Sequence, residues 1–328
     1  MNISELLKSL CEADNPADIA ANQLRLLGSD VDIDPLGSVC GTFFSGEDKP
    51  TLLLDAHIDE IGLVVTYIDE NGFVKPGKRG GVDTRTLPAS AVTIHGSENI
   101  RGVVCTQPPH VKKDTGKSVS LDDLFIDTGY SKAELEKRVS LGDFITPDVS
   151  FVRLTGNVYT GKAIDDRAGV VAVLYAMYLL KEKHIKYNLR VCFSVMEETG
   201  GAGATVAAFR SKADFAVAVD VSFGKCPATS EEETAPLGSG VMLGRSPVLD
   251  AALFSEMKAT CEREQIPFNV EVMSGKTGTN ADDINKSRGG IRTALLSIPI
   301  RNMHTAVEVA DVTDIENTAR CIAAFIEG

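Results

Sequence analysis

The chain contains no tryptophan, few aromatic residues (6%) and only five histidines in 328 residues. Basic charge is also scarce: 33 Lys and Arg stand against 46 Asp and Glu, for a formal net charge of -13. A surface for nucleic acid or for anionic lipid needs clustered Lys and Arg, so both partner classes are excluded. Long apolar runs are missing as well. The longest, Gly169 to Leu180, is shorter than the roughly 20 residues that span a bilayer. The opening Met-Asn-Ile-Ser-Glu-Leu-Leu-Lys lacks the basic start and apolar stretch of a signal peptide. The seven cysteines include no Cys-x-x-Cys pair and read as reduced thiols of a reducing compartment. A soluble, cytoplasmic protein is expected.

Hydrophobic content of 43% over this length supplies a large core and suits two domains. Residues 2–28 read as two helices broken at Asn15-Pro16. Ser38–Phe44 and Thr51–Asp55 read as strands, the second apolar enough to be covered on both faces. Between residues 61 and 149 the strand-like pieces are short and turn-rich: Gly62–Ile68, Phe73–Lys75, Ala91–Ile94 and Arg101–Cys105, with a short helix over Lys132–Val139. That texture predicts a small β-barrel. From residue 150 helices and strands alternate, which predicts an α/β layered sheet. The expected organisation is one α/β domain from 1–60 and 150–328, with 61–149 inserted as the barrel.

Chemistry-bearing residues fall where these elements end. His57 and Asp59 follow the run that ends at Asp55. Glu197 and Glu198 follow Leu189–Met196, and Asp220 follows Phe215–Val219. Asp165 precedes the helix expected from Asp166 to Lys181, and His304 lies beyond Leu295–Ile300. Ligands of open α/β sheets gather at the carboxyl ends of the strands. So many carboxylates in one cleft repel unless something positive sits among them. Imidazoles beside the acids point to a transition metal such as zinc, cobalt or manganese rather than calcium. A bridging carboxylate with one His and one further carboxylate on each ion gives a two-metal site, with the ions about 3.5–4 Å apart. Each piece also has a plainer reading: Asp165-Asp166 as a helix cap, Glu197-Glu198 as a solvated turn, His304 as a hydrogen-bonded histidine. His95, His110 and His184 carry no sign of ligation.

The joint pattern resembles a known family. It is carried by Asp55-Ala-His57-Ile-Asp59-Glu-Ile-Gly62, Lys162-Ala-Ile-Asp165-Asp166-Arg167-Ala-Gly169, and Ser194-Val-Met-Glu197-Glu198-Thr-Gly-Gly-Ala-Gly203. Val219-Asp220-Val221, Gly278-Thr-Asn-Ala281-Asp282 and Ile300-Arg-Asn-Met-His304-Thr-Ala-Val-Glu308 add to it, as do Gly80-Gly81 and Leu124–Gly129. The chain is similar to the tetrahedral-type aminopeptidases, family forty-two of the metallopeptidases, whose relatives carry glutamyl, lysyl and older endoglucanase labels. The resemblance implies a phosphorylase/hydrolase-like mixed sheet with helices on both faces and a barrel insert used in self-association, often as a tetrahedral dodecamer. It implies two divalent ions per subunit, one held by His57 and Asp220, the other by Glu198 and His304, with Asp165 bridging. Asp59 would orient His57, and Glu197 would be the general base in releasing the first residue of short peptides.

The sequence departs from the family pattern at Asn15-Pro16-Ala17-Asp18, at Asn280 (usually Asp, in a loop near the substrate pocket), at Asn302 (usually Tyr) and along Cys226–Pro236. Another amide or acyl hydrolase on the same metals, or a metal-binding relative without catalysis, stays open. A glycosidase is disfavoured, since paired carboxylates that cleave sugars have no need of two histidines.

Overall fold

The computed structural model describes residues 1–107, 119–227 and 229–327. His110 lies outside them. The chain divides into two compact units, one of Met1–Asp59, Phe151–Met303 and Glu308–Gly328, the other of Glu60–Ser150 with His304–Val307.

The larger unit is built on one mixed sheet. Its order is Asp30–Ile33, Val39–Phe43, Asn188–Ser194, Thr51–His57, Phe215–Phe223, Arg292–Arg301, Glu308–Asp311, Val158–Gly161 and Val152–Thr155. Val241–Arg245 branches from the Arg292–Arg301 strand and pairs in turn with Phe268–Val272. The middle four strands, Asn188–Ser194, Thr51–His57, Phe215–Phe223 and Arg292–Arg301, are parallel, so their carboxyl ends share one edge. Side chains alternate across the sheet, and this alternation divides the core. Leu52, Leu54, Ala56, Val217 and Val219 face the helix Ile164–Leu179 and the terminal helices. Leu53, Cys192, Ala216, Ala218 and Leu295 face Ala204, Ala207 and Ala208 of the helix Ala202–Ser211. By the same alternation Asp55 and His57 lie on the Leu53 side, and Asp220 and Ser222 on the Ala218 side, which is the same face.

The Phe215 strand runs to Phe223, so Asp220 lies inside it rather than after it. Its parallel register with the Arg292 strand continues through Asp220 opposite Ser297 and on to Phe223 opposite Ile300, and this pairing carries the carboxylate within the ladder. His57 is likewise the last residue of its strand. The helix that carries Asp165 begins at Ile164, with Asp165 and Asp166 off helical geometry.

The smaller unit is a closed antiparallel barrel in the order Gly62–Ile68, Val74–Arg79, Phe125–Asp127, Asn99–Cys105, Ala91–His95 and Phe144–Pro147, the last pairing with the first. Leu63, Val65, Val74, Ile94, Val104, Ile126 and Ile145 fill it. The helix expected over Lys132–Val139 is a single turn, Lys132–Leu135. Among the described residues no helix is long and apolar enough to cross a membrane.

Candidate metal centre

His57, Asp165 and Asp220 converge at the carboxyl edge of the central strands. All three are buried, and each offers one ligand atom within 4.8 Å of the others. Nε2 of His57 is 3.0 Å from Asp165 Oδ1 and 3.9 Å from Asp220 Oδ1. A second group, His57 with Glu197 and Glu198, meets the same spacing, its two glutamates half-buried.

Backbone geometry sets these positions. After the Asn188–Ser194 strand the chain turns tightly: Met196 has φ 65°, Gly200 N–H donates to Glu197 O at 3.0 Å, and Gly201 N–H to Met196 O at 2.7 Å. Gly203 packs on the backbone it has just left, where a Cβ would stand 2.1 Å from the Val195 carbonyl oxygen. The Thr-Gly-Gly-Ala-Gly run thus allows the turn that presents both glutamates. Gly169 is needed for a similar reason, since a Cβ there would lie 2.4 Å from the Asp166 carboxylate.

Asp59 ties the pieces together. Its carboxylate accepts the backbone N–H of Glu197 at 3.1 Å and of Glu198 at 3.3 Å. The same side chain stands 3.5 Å from His57 Nδ1, whose other near neighbour is the Asp59 carbonyl at 3.3 Å. A carboxylate behind an imidazole fixes its tautomer and ring plane.

Three supports lay beyond the sequence reading. Asp166 accepts the His57 backbone N–H at 3.2 Å and the Gly169 N–H at 2.9 Å. Glu308 accepts the Asp165 N–H at 3.0 Å. Asn280, expected in a loop near the substrate pocket, is 2% exposed. Its amide donates to Asp55 Oδ1 at 2.7 Å and to Ser194 Oγ at 2.8 Å. Asp55 is two residues before His57 on the same face, a period-2 signal that the sequence did carry. Asn280 is distant in the chain and gave no such signal.

His304 starts the segment grouped with the barrel unit, at φ 61°. Within that unit Gly81 lies against its ring, and a Cβ on Gly81 would be 2.6 Å from His304 Nδ1. This accounts for the second glycine of the Gly80-Gly81 pair.

Electrostatics mark the larger unit's cluster as a place for cations. Burial holds Asp220 well above the usual carboxylate range, His57 pulls it down, and the charges of Asp165 and Glu197 push it up again. Burial, then the charge of Asp220, raises Asp166 in the same way. Burial disfavours a charged His57, yet its bonds to Asp165 and Asp59 and the charge of Asp220 hold it well above its ordinary value. Burial also opposes charge on Asp59, but His57 and the two N–H donors outweigh it and bring Asp59 below its usual value. Such a group keeps protons that divalent cations displace. Imidazole nitrogen with carboxylate oxygens suits a first-row transition metal, so the residues present fit the expected ions.

Comparison with known proteins agrees with this chemistry. The profile of the family described as M42 glutamyl aminopeptidase matches residues 37–321. The chain belongs to that family. This M42 chain is 32% identical to the lysyl aminopeptidase of Pyrococcus furiosus, over 98% of its own length and 96% of the relative's. In structure it is similar to a TET aminopeptidase from the marine sediment archaeon Thaumarchaeota archaeon SCGC AB-539-E09, with TM-score 0.94 and 28% identity over 99% of this chain and 96% of that one. It is also similar to the Pyrococcus horikoshii TET1 peptidase, which can assemble into a tetrahedron or a large octahedral shell, with TM-score 0.86 and 28% identity over 99% of both chains. The M42 chain is a TET-type, metal-dependent aminopeptidase.

Proposed function

We propose that this aminopeptidase hydrolyses the first peptide bond of short peptides with two divalent ions per subunit, zinc or cobalt being the best fit and manganese the next. His57 and Asp220 hold one ion, Glu198 and His304 the other, and Asp165 bridges. The observation that carries the reading is the approach of His57, Asp165 and Asp220 to within 4.8 Å of one another. When bound, the ions polarise the scissile carbonyl and bring the pKa of water toward about 7. Glu197 takes a proton from the attacking water and delivers it to the departing amine. Two adjacent glutamates allow this division of labour, because a carboxylate engaged as a ligand is a poor base while its neighbour can move a proton. Asp59 keeps base and ligand in register by holding both backbone N–H groups of the pair and facing the His57 ring. The protein acts in the cytoplasm, as a homo-oligomer that is a tetrahedral dodecamer, with residues 61–149 contributing to its contacts.

The deciding assay offers the metal-loaded protein matched peptides with free and acetylated N-termini and follows released amino acids by chromatography. Release from the free peptides alone, abolished by a chelator and restored by zinc or cobalt, is expected. Cleavage of the blocked peptides would point to a different amide hydrolase on the same scaffold.

A further inference from the structure

Three buried side chains from separate elements close a triangle of hydrogen bonds beside the metal ligands. Asn280 Nδ2 donates to Asp55 Oδ1 at 2.7 Å and to Ser194 Oγ at 2.8 Å, and Ser194 Oγ donates to Asp55 Oδ1 at 3.1 Å. Two corners belong to ligand-bearing strands. Asp55 lies two residues before His57 on the same strand. Ser194 is the register partner of His57 on the neighbouring strand, and its carbonyl accepts the Ile58 N–H at 2.8 Å. It is also the last residue of that strand, three before Glu197. Asn280, the third corner, comes from outside the sheet, at the start of the Ala281–Ile284 helix.

The same turn of chain reaches the far end of the glutamate segment. The N–H groups of Asp283 and Ile284 donate to Asn280 O at 3.1 and 3.0 Å, which fixes Asp283 relative to Asn280. The approach to this turn is folded back on it, because Asp282 accepts the N–H groups of Thr277 at 3.0 Å and Gly278 at 3.1 Å. A Cβ on Gly201, at φ 71°, would run into the Asp283 carboxylate. Asn280 thus meets residue 194 and Asp283 lies against residue 201. Between those two contacts runs the segment that presents Glu197 and Glu198. Asp59 holds the same glutamates by their N–H groups, but it belongs to the chain leaving His57. The Asn280–Asp283 turn is a second, separate point of attachment. An amide suits the task at 280, since its two N–H donors lie in one plane and both partners offer lone pairs. Placement on this scale matters to rate, because a shift of about 1 Å at a reacting centre costs on the order of a hundredfold.

We propose that Asn280 is a positioning residue for hydrolysis: its amide ties the end of the His57 strand to the end of the strand that leads to Glu197 and Glu198, and so sets ligand and base in register. This assignment rests on the peptidase reading of those residues. It is tested on the full-length, metal-loaded protein with a peptide bearing a free N-terminus. Asn280→Leu keeps the volume and removes both donors. It should lower kcat about tenfold to a hundredfold, with KM within about twofold of wild type and wild-type metal content by elemental analysis. Asn280→Asp, whose carboxyl keeps the planar shape and can share one proton with Asp55, should lose less than Asn280→Leu. Ser194→Ala removes one corner and leaves the Asn280–Asp55 bond, so it too should lose less, about threefold to tenfold. It decides the matter should Asn280→Leu not fold. Wild-type kcat in Asn280→Leu, or in Ser194→Ala, overturns the assignment. A loss that disappears when activity is divided by folded fraction or by bound metal also overturns it, since Asn280 would then serve stability alone. A wild type that cleaves no free peptide brings down the peptidase reading and this assignment together, whereas an active wild type with unaffected variants brings down this assignment only.

Discussion

Glu197 and Glu198 share a turn and a supporting carboxylate and are both half-buried, so the proposed function asks neighbouring residues of one type to do different work. Glutamine at 197 keeps the volume and removes the basicity. Glu197→Gln should therefore lower kcat by about 100- to 10,000-fold while elemental analysis finds the wild-type metal content. A variant with near-normal turnover would move the base elsewhere. Sequence reading singled out His57, Asp165 and Asp220, which the structure brings together, because each sits beside an apolar run or a glycine motif. It marked Asn280 as a departure from the family pattern but did not reach the partners of its side chain. The structure buries it where a strand aspartate and a strand serine need a donor. Burial of a polar residue is set by partners far away in the chain, and Asp55 is 225 positions from Asn280.

Elements explain why the turn after the Asn188–Ser194 strand is rich in glycine. Gly203 approaches Val195 backbone, which cannot swing aside as a side chain would. Gly203→Ala should cost about 1–3 kcal/mol of stability and reduce activity with it, because the shift passes directly into the Glu197–Glu198 turn. Denaturant unfolding on the apo protein, with turnover measured alongside, would count against this role if both matched wild type. At this scale legibility depended on burial. The central strand Thr51–His57 is apolar and was readable, as were the first two helices, separated at Asn15-Pro16. The strands Val152–Thr155 and Phe125–Asp127 were not. The first is exposed along its whole length, and the second has three residues, too few to show a period. Asp220 was read as ending its strand because a charge closes an apolar run in sequence. In the sheet it continues the ladder, and His57 offsets only part of its cost of burial.

For the whole molecule, the α/β sheet and the inserted barrel were both foreseeable from a change in texture, from long alternating helices and strands to short turn-rich strands and back. The assembly has its own test. Sedimentation velocity on the purified protein should give a species near twelve times 35.0 kDa, and a monomer would remove the enclosed-shell reading. Chain order has a further consequence. The His57 strand is finished by residue 57, yet it pairs only with strands that begin at Asn188 and Phe215. All six barrel strands lie between and end at Pro147. On the ribosome, therefore, every strand of the barrel has emerged before any parallel neighbour of the His57 strand exists. A nascent chain at that stage carries only His57 and Asp165 of the five proposed metal ligands, on an unfinished sheet, and with His304 the last of them the proposed hydrolase cannot be armed until its synthesis is nearly over.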